Sequence, residues 1–535
     1  MTCEYSESLN KINFTFHINL QLDKMIKNYL LALISCAVSF PIASYGFSGE
    51  ISVASDSALE AATISNSSNP HSIEEAEEAD SDELTNFSVL FEKLKSLELP
   101  VVNITTVDGE EPTCEIAETP EGCWGQGIKN ANKVPSQMQI IVNGETIYDS
   151  GEYVKKESGL TVKVRGNTSA YRQKKAYKLK LQKKADLLNR DDKKYKDKDW
   201  VLLRTGSCLN TPVGFWMSEI VGQEWTPAHQ YVNLCMNGEY RGIYILCEAV
   251  SVNSECRIDV DETDGYVIEA DPYWWNEDIS FPSTILYQAM QFTYKYPDSD
   301  DITEEWNEKI RENVHFNESS ILNATFDEYY DCESFAKWLL AWDILGNSDF
   351  AGGNMYLVKK DDSAKTAMGP IWDFDHAFKT ENDWAEIHKN YFYFHRMLKS
   401  DNPAFREAYF NLWQDRGEDF IDEIISRIDK FANSKLGSDY DESLILEQKY
   451  ATTKEERHDA NFGNLEYMAG YITDWFQRRK EWLIPTMQNE IEASGISGIE
   501  APFPDADVSY DILGRLIDPE TKGLQIRNGK KIIIR

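Results

Sequence analysis

Apolar and polar residues change their rhythm twice along this 535-residue chain. From Leu99-Pro100-Val101-Val102-Asn103-Ile104 onward, short runs of branched residues bounded by turn formers predict β-strands, and strands dominate to about Asp271. Between Tyr287 and Ile484 apolar residues recur at helical spacing: Phe335, Leu339, Trp342 and Leu345, then Phe405, Tyr409, Leu412 and Trp413. At the end, YDILGRLIDPETKGLQIRNGKKIIIR alternates apolar and polar residues about Asn528-Gly529, the turn pair of a β-hairpin. The chain reads as α+β, with a β-rich part over 98–271, a mostly helical part over 272–490 and a β-tail over 505–535.

The N-terminal pattern is of another kind. From Met25 the run MIKNYLLALISCAVSFPIASYG has a Lys-containing start, a short apolar stretch and small residues beyond it. That is the build of a signal peptide, too short for a membrane span. Met25 is the expected start, and residues 1–46 comprise upstream sequence plus signal peptide. Leu33-Ile34-Ser35-Cys36 resembles a lipobox, so a lipid anchor at Cys36 stands beside simple export as the fate of the mature chain. From Ser48 to Asn86 the chain is rich in Ser, Ala, Glu and Asp and nearly without aromatics, which predicts a disordered acidic linker over 47–97. The tail over 505–535 resembles the C-terminal β-tail of many exported Bacteroidetes proteins, which implies secretion or surface sorting.

The formal net charge of −36 argues against unassisted nucleic-acid binding. The Lys and Arg between Lys174 and Lys198 read as a solvated strand face and loop. Nine cysteines occur without CxxC or Cys/His ligand spacing, so any metal is expected on oxygen ligands. A disulfide between Cys114 and Cys123 would close a small loop in an oxidising compartment, while Cys208, Cys235 and Cys247 fit free buried thiols.

Several constellations carry chemistry. LTVKVRGNTS followed by AYRQKKAYKLKL predicts two strands joined by an Arg-Gly-Asn-Thr-Ser turn, with Lys174, Lys175, Lys178 and Lys180 on the second. Small residues at such a turn let backbone N–H groups approach a phosphate, and a strand Lys supplies a fixed positive charge. The segment YVNLCMNGEYRGIYILCE predicts a hairpin about Asn237-Gly238 whose returning strand ends on Glu248. A buried Glu there needs a partner, and a strand Lys is the expected one; Glu219, on a predicted helix over Thr211–Gly222, is the other candidate.

The strongest signal lies in the helical half. After the apolar helix SFAKWLLAWDIL comes GNSDFAGGN, then the strand MYLVKK, then MGPIWDFD. Asp349 with Asn354 has the D-x-x-x-x-N spacing of a protein-kinase catalytic loop, and Asp373-Phe374 falls where a DFG-type Asp is expected. Phosphoryl transfer needs such a carboxylate by the acceptor hydroxyl and hard oxygen ligands for Mg²⁺.

RGNTS with KKAYKLKL, VNLCMNGEYRGIYILCE, GNSDFAGGN and GPIWDFDHAF, in that order, resemble the spore-coat CotH family of atypical secretory kinases over residues 98–490. The resemblance implies a divergent two-lobed protein-kinase-like fold, use of ATP with Mg²⁺ or Mn²⁺, and phosphorylation of Ser or Thr on secreted or surface proteins. It implies Asp349 as catalytic Asp, Asp373 as metal ligand assisted by Asp375, and Asn354 as a metal-loop residue. Lys174 is the first choice for the phosphate Lys, with Lys175 and Lys178 behind it. Arg165 and Asn167 mark the phosphate-side turn, and Glu248 pairs with the Lys or lies near the adenine. The chain departs from familiar kinases in having Asn-Ser before Asp349, Asp in place of the Gly of DFG, and no G-x-G-x-x-G loop. Two other readings compete. One is an inactive surface-binding module of the same fold using aromatics such as Trp274-Trp275 and Tyr391 to Tyr393. The other is a metal-assisted hydrolase built on Asp349, Asp373 and Asp375.

Overall fold

The structure is a computed structural model. It describes residues 86–495 apart from 124, 207, 287–289, 349–353, 383–392 and 456–459, together with four strands within 509–534. All of these fall within one compact unit, Ser72–Arg535. The signal peptide, Met25, Cys36, the linker up to residue 85, Asp349, Tyr391 and the Asn528-Gly529 turn lie outside the described residues.

The first described element corrects the linker reading. Helix α1 spans Phe87–Lys95, where Phe87, Leu90, Phe91 and Leu94 form one apolar stripe. Asn86 caps it, its side chain accepting from Ser88 N at 3.0 Å, and Lys93 and Lys95 face the carbonyl end. Burial of Leu90 and Leu94 outweighs the polar composition of the preceding stretch.

The strands that follow are β1 (Val101–Thr106), β2 (Glu115–Ile116), β3 (Ile128–Lys129), β4 (Val134–Val142), β5 (Glu145–Asp149), β6 (Leu160–Arg165), β7 (Ala176–Ala185) and β8 (Asp197–Arg204). Helix α2 (Asn210–Ile220) then leads to β9 (His229–Met236) and β10 (Glu239–Glu248). The large sheet runs β1-β9-β10-β8-β7-β6-β4-β5, and β1 also pairs with β4, so seven strands close into a barrel. All its pairings are antiparallel except β1 with β9. Alternation explains the closure: along β6 the even residues Leu160, Val162 and Val164 turn inward to meet Leu179, Trp200, Leu202, Leu234 and Leu246. The Asn237-Gly238 turn, with both residues at positive φ, joins β9 to β10 as its sequence demands. The loop holding Cys114 and Cys123 is held by β2–β3 pairing, and both cysteines are free thiols rather than a disulfide.

A second sheet, ordered β12-β13-β11-β14-β15, contains β11 (Tyr266–Asp271), β12 (Ser280–Pro282), β13 (Gln291–Tyr296), β14 (Met355–Lys359) and β15 (Ala367–Met368). A boundary at 271 therefore falls inside a sheet, because β11 finds its hydrogen-bond partners in β13 and β14 from the later sequence. The helices are α3 (Glu304–Leu322), α4 (Cys332–Leu345), α5 (Tyr393–Lys399), α6 (Ala404–Leu412), α7 (Glu418–Ala432), α8 (Lys435–Tyr450) and α9 (Leu465–Ser494). They share one core with α2, the second sheet and the outward face of β8 and β10, through Val201, Leu203, Ile243, Ile245 and Cys247. Segments Ser509–Tyr510, Leu516–Ile517, Gly523–Arg527 and Lys530–Ile534 form a further four-stranded sheet.

Candidate active site

Strand register gathers the sequence motifs at one end of the barrel. Arg165 closes β6 opposite Ala176 at the start of β7, and Arg204 closes β8 opposite Tyr244 of β10. Between β6 and β7, Gly166 takes φ 92°, and a Cβ there would collide with the Ser169 side chain. Asn167 precedes a single 3₁₀ turn over Thr168–Tyr171. Lys174 and Lys175 thus precede β7 instead of lying on it, while Lys178 and Lys180 stand on its exposed face near Asp199.

Lys174 is 1% exposed, and its Nζ donates to Glu447 Oε1 at 3.0 Å while lying 5.0 Å from the Tyr244 ring. Glu447, on α8, also accepts from Ile243 N at 2.9 Å and from Glu455 N at 3.2 Å. Gly242 makes this approach feasible: it has φ 92° at a bulge in β10, and a Cβ there would stand 2.9 Å from the Glu447 carboxyl carbon. Lys175 is turned away to the Ala170 carbonyl at 2.7 Å.

Neither acid expected to pair with the Lys does so. Glu248 is buried, but it accepts from Arg190 Nη2 at 2.8 Å and Ala228 N at 3.0 Å, and Arg190 is shared with Asp186. Glu219 pairs with Arg427 at 2.5 Å on the partly exposed side of α2. The reason is register: Glu248 lies opposite Trp200 near the start of β8, at the other end of the barrel from Arg204.

The Trp-Asp-Phe-Asp run packs against the same barrel end. The Arg165 guanidinium lies 5.6 Å from the Trp372 ring. Asp373 has φ 63°, its carbonyl accepts from Asn347 Nδ2 at 2.9 Å, and the Phe374 carbonyl accepts from Asn210 Nδ2 at 3.1 Å. Phe374 seats on the bare backbone of Gly214 in α2 and meets Phe215 edge-on at 5.4 Å. Asp375 Oδ2 accepts from Arg204 Nη2 at 3.1 Å, and Arg204 Nη1 donates to the buried Glu455 Oε1 at 2.7 Å. Burial raises the Glu455 pKa, with Lys174 and Arg204 opposing. Burial works against charge on Arg204, yet Glu455 and Asp375 hold its pKa above the usual value.

Asn354 heads β14 at φ 69°. With Leu357 opposite Met368, the antiparallel register carried on puts Asn354 level with Ile371, two residues before Asp373. Among the described residues no three His, Cys, Asp or Glu side chains are grouped as a metal site; Asp349 lies outside them. The donors of Asp373, Asp375 and Asn354 are all hard oxygens, the kind Mg²⁺ and Mn²⁺ take. Around them, Lys174 pairs with Glu447, and Arg204 with Glu455 and Asp375.

Glu447, Arg204 and Glu455 went unnoticed in the sequence reading. Glu447 carried a usable signal: with Tyr440, Ser443 and Leu444 it occupies the buried face of α8, an acid where the period calls for an apolar side chain. Of the proposed aromatic platforms, Tyr393 is buried with its hydroxyl on Glu318 at 2.5 Å, and Trp275 packs over Gly127.

No curated protein matches this chain. Among solved structures, the crystal structure of a Helicobacter pylori proinflammatory kinase, CtkA, is similar at 13% identity over 71% of this chain and 97% of that one. Its TM-score of 0.26 is too low to bear on the arrangement of the fold. The sequence model of the CotH kinase protein family matches residues 162–483, from the middle of β6 into α9. The chain belongs to the CotH kinase protein family.

Proposed function

We propose that this chain is an exported, atypical two-lobed protein kinase that transfers the γ-phosphate of ATP to Ser or Thr hydroxyls of secreted or surface proteins, with Mg²⁺ or Mn²⁺. Family membership supports a protein-kinase-like function. The observation that carries the finer reading is the buried Lys174–Glu447 pair beside the Arg-Gly-Asn-Thr-Ser turn, linked through Glu455 and Arg204 to Asp375.

In this reading Glu447 orients Lys174, whose remaining ammonium protons serve the phosphates together with the turn's backbone N–H groups. Asp373, Asp375 and Asn354 would hold the metal, which would supply neutralisation of the phosphate charge. Asp349 orients the acceptor hydroxyl and takes its proton. The acceptor oxygen forms a bond to the γ-phosphorus as the bridging oxygen–phosphorus bond breaks, and ADP leaves with the electron pair. Export rests on the N-terminal run from Met25, with Cys36 as the anchor if it is lipidated.

Intact-mass measurement after incubation with ATP and Mn²⁺ or Mg²⁺ tests the reading. Wild type gains phosphoryl groups, whereas Asp349→Ala and Asp373→Ala, folded by circular dichroism, gain none. Release of free phosphate without any phosphorylated protein, self or added, would transfer the site to the hydrolase reading.

A further inference from the structure

Arg204 stands where no expectation placed a functional residue. Its guanidinium spans two acids at once: Nη1 to Glu455 Oε1 at 2.7 Å and Nη2 to Asp375 Oδ2 at 3.1 Å. Glu455 is 1% exposed at its side chain and Asp375 47%, so one end of the fork is anchored in protein and the other reaches the open side of the site. The anchor is itself held. Residues 451–455 strap across the start of β10 through Thr452 N to Tyr240 O at 2.9 Å and Thr453 Oγ1 to Arg241 O at 2.8 Å. The Glu455 N–H then bonds Glu447 Oε1, the oxygen that also receives Lys174. Asp375 Oδ1 lies toward Gly206, 3.7 Å from where a Cβ on that glycine would stand.

We propose that Arg204, anchored by Glu455, is a positioning residue that holds Asp375 in its metal-binding orientation and ties it to the Lys174–Glu447 pair through the strap. The inference rests on the metal role of the Asp373/Asp375 loop. A carboxylate ligand with one oxygen accepting from a guanidinium that is itself anchored on a second acid has less rotational freedom to lose when the cation arrives. A lysine at 204 keeps the charge but has a single nitrogen, which cannot bridge acids on opposite sides with the same geometry.

Charge and positioning make different predictions. Arg204→Lys leaves the formal charge unchanged, and so does the double variant Arg204→Met with Glu455→Gln, which leaves no buried charge unpaired and preserves folding. A purely Coulombic role predicts wild-type cation affinity for both. Positioning predicts a weakening of about tenfold or more for both, the usual effect of losing a partner behind a metal ligand. The full chain is titrated with Mn²⁺ alone, without nucleotide, and free Mn²⁺ is read by electron paramagnetic resonance. Asp373→Ala is run alongside. Weakened binding in both Arg204 variants, with loss of binding in Asp373→Ala, supports the proposal. Wild-type affinity in either Arg204 variant while Asp373→Ala loses binding overturns the role of Arg204 and leaves the metal site standing. Undiminished binding in Asp373→Ala removes the metal reading itself, and this inference with it.

Discussion

Lys174 Nζ lies 3.0 Å from Glu447 Oε1, with both side chains no more than 3% exposed. A pair so enclosed contributes little net stability by existing, but breaking it leaves one charge buried without its counter-charge, at about 3–5 kcal/mol. The two halves are unequal. Glu447 keeps the Ile243 and Glu455 N–H donors when the lysine is gone, whereas Lys174 keeps the Tyr244 ring face and the Coulombic attraction of Glu455 but loses its carboxylate hydrogen bond. Glu447→Leu is therefore expected to lower the urea midpoint more than Lys174→Met, and the double variant less than the sum of the two. Additive losses would mean that the residues do not interact.

Gly214 sits inside α2, where alanine is favoured by about 1 kcal/mol on helix propensity. Phe374 already occupies the space a Cβ needs, and it anchors the loop between Asp373 and Asp375. Overpacking of about 1–3 kcal/mol should win, so Gly214→Ala is expected to be destabilised in equilibrium unfolding and to lose phosphoryl transfer. A stabilised, active Gly214→Ala would show that Phe374 is not seated on this helix.

Asp271 ends β11 and is buried, and burial pushes its pKa up from 3.8 to about 7, with Glu269 adding to the shift and Lys295 opposing. Between those values the folded chain retains a proton that the unfolded chain has released. Stability therefore falls as pH rises from about 4 to about 7. Asp271→Asn removes that penalty while its side-chain oxygen can still accept from Tyr273 N. The gain in melting temperature over wild type should be larger at pH 8 than at pH 4; an equal gain at both would contradict the assignment.

Glu248 offers a contrast with Glu447. Glu248→Gln keeps an acceptor for Ala228 N but loses one of the two charge partners of Arg190, Asp186 being the other. It should lower stability by about 1–3 kcal/mol in a denaturant series while leaving nucleotide affinity within about twofold of wild type. A large loss of ATP affinity, measured by calorimetry, would return Glu248 to the nucleotide site.

Much of this was legible in the chain. Alternation in Leu160–Arg165 and the Asn237-Gly238 turn announced strands and a hairpin. Helical spacing announced α4 and α6. Closure of the barrel was not legible, since it depends on β1 pairing with β4 and β9 at once, and pairing partners leave no mark in local periodicity. The site divided along the same line. Lys174 and the Trp-Asp-Phe-Asp run were visible as local motifs, but the partner of Lys174 stands 273 residues away and looked like one more helix acid. Glu248 ends its strand, but local sequence does not say which end of the barrel that is, and the register puts it at the end away from Arg204.

That separation has a consequence for synthesis. A chain made from its N-terminus completes Lys174 and all seven barrel strands by Glu248, yet the acid that neutralises the lysine appears only with α8 and the strap only with Glu455. Until then the barrel end must keep its ammonium in water, and the seam between β1, β4 and β9, which α1 also covers, waits for the end of α8. Completion of the core and assembly of the site are thus one late event. A chain interrupted before α8 would carry every motif of the barrel end and still be unable to bury its lysine.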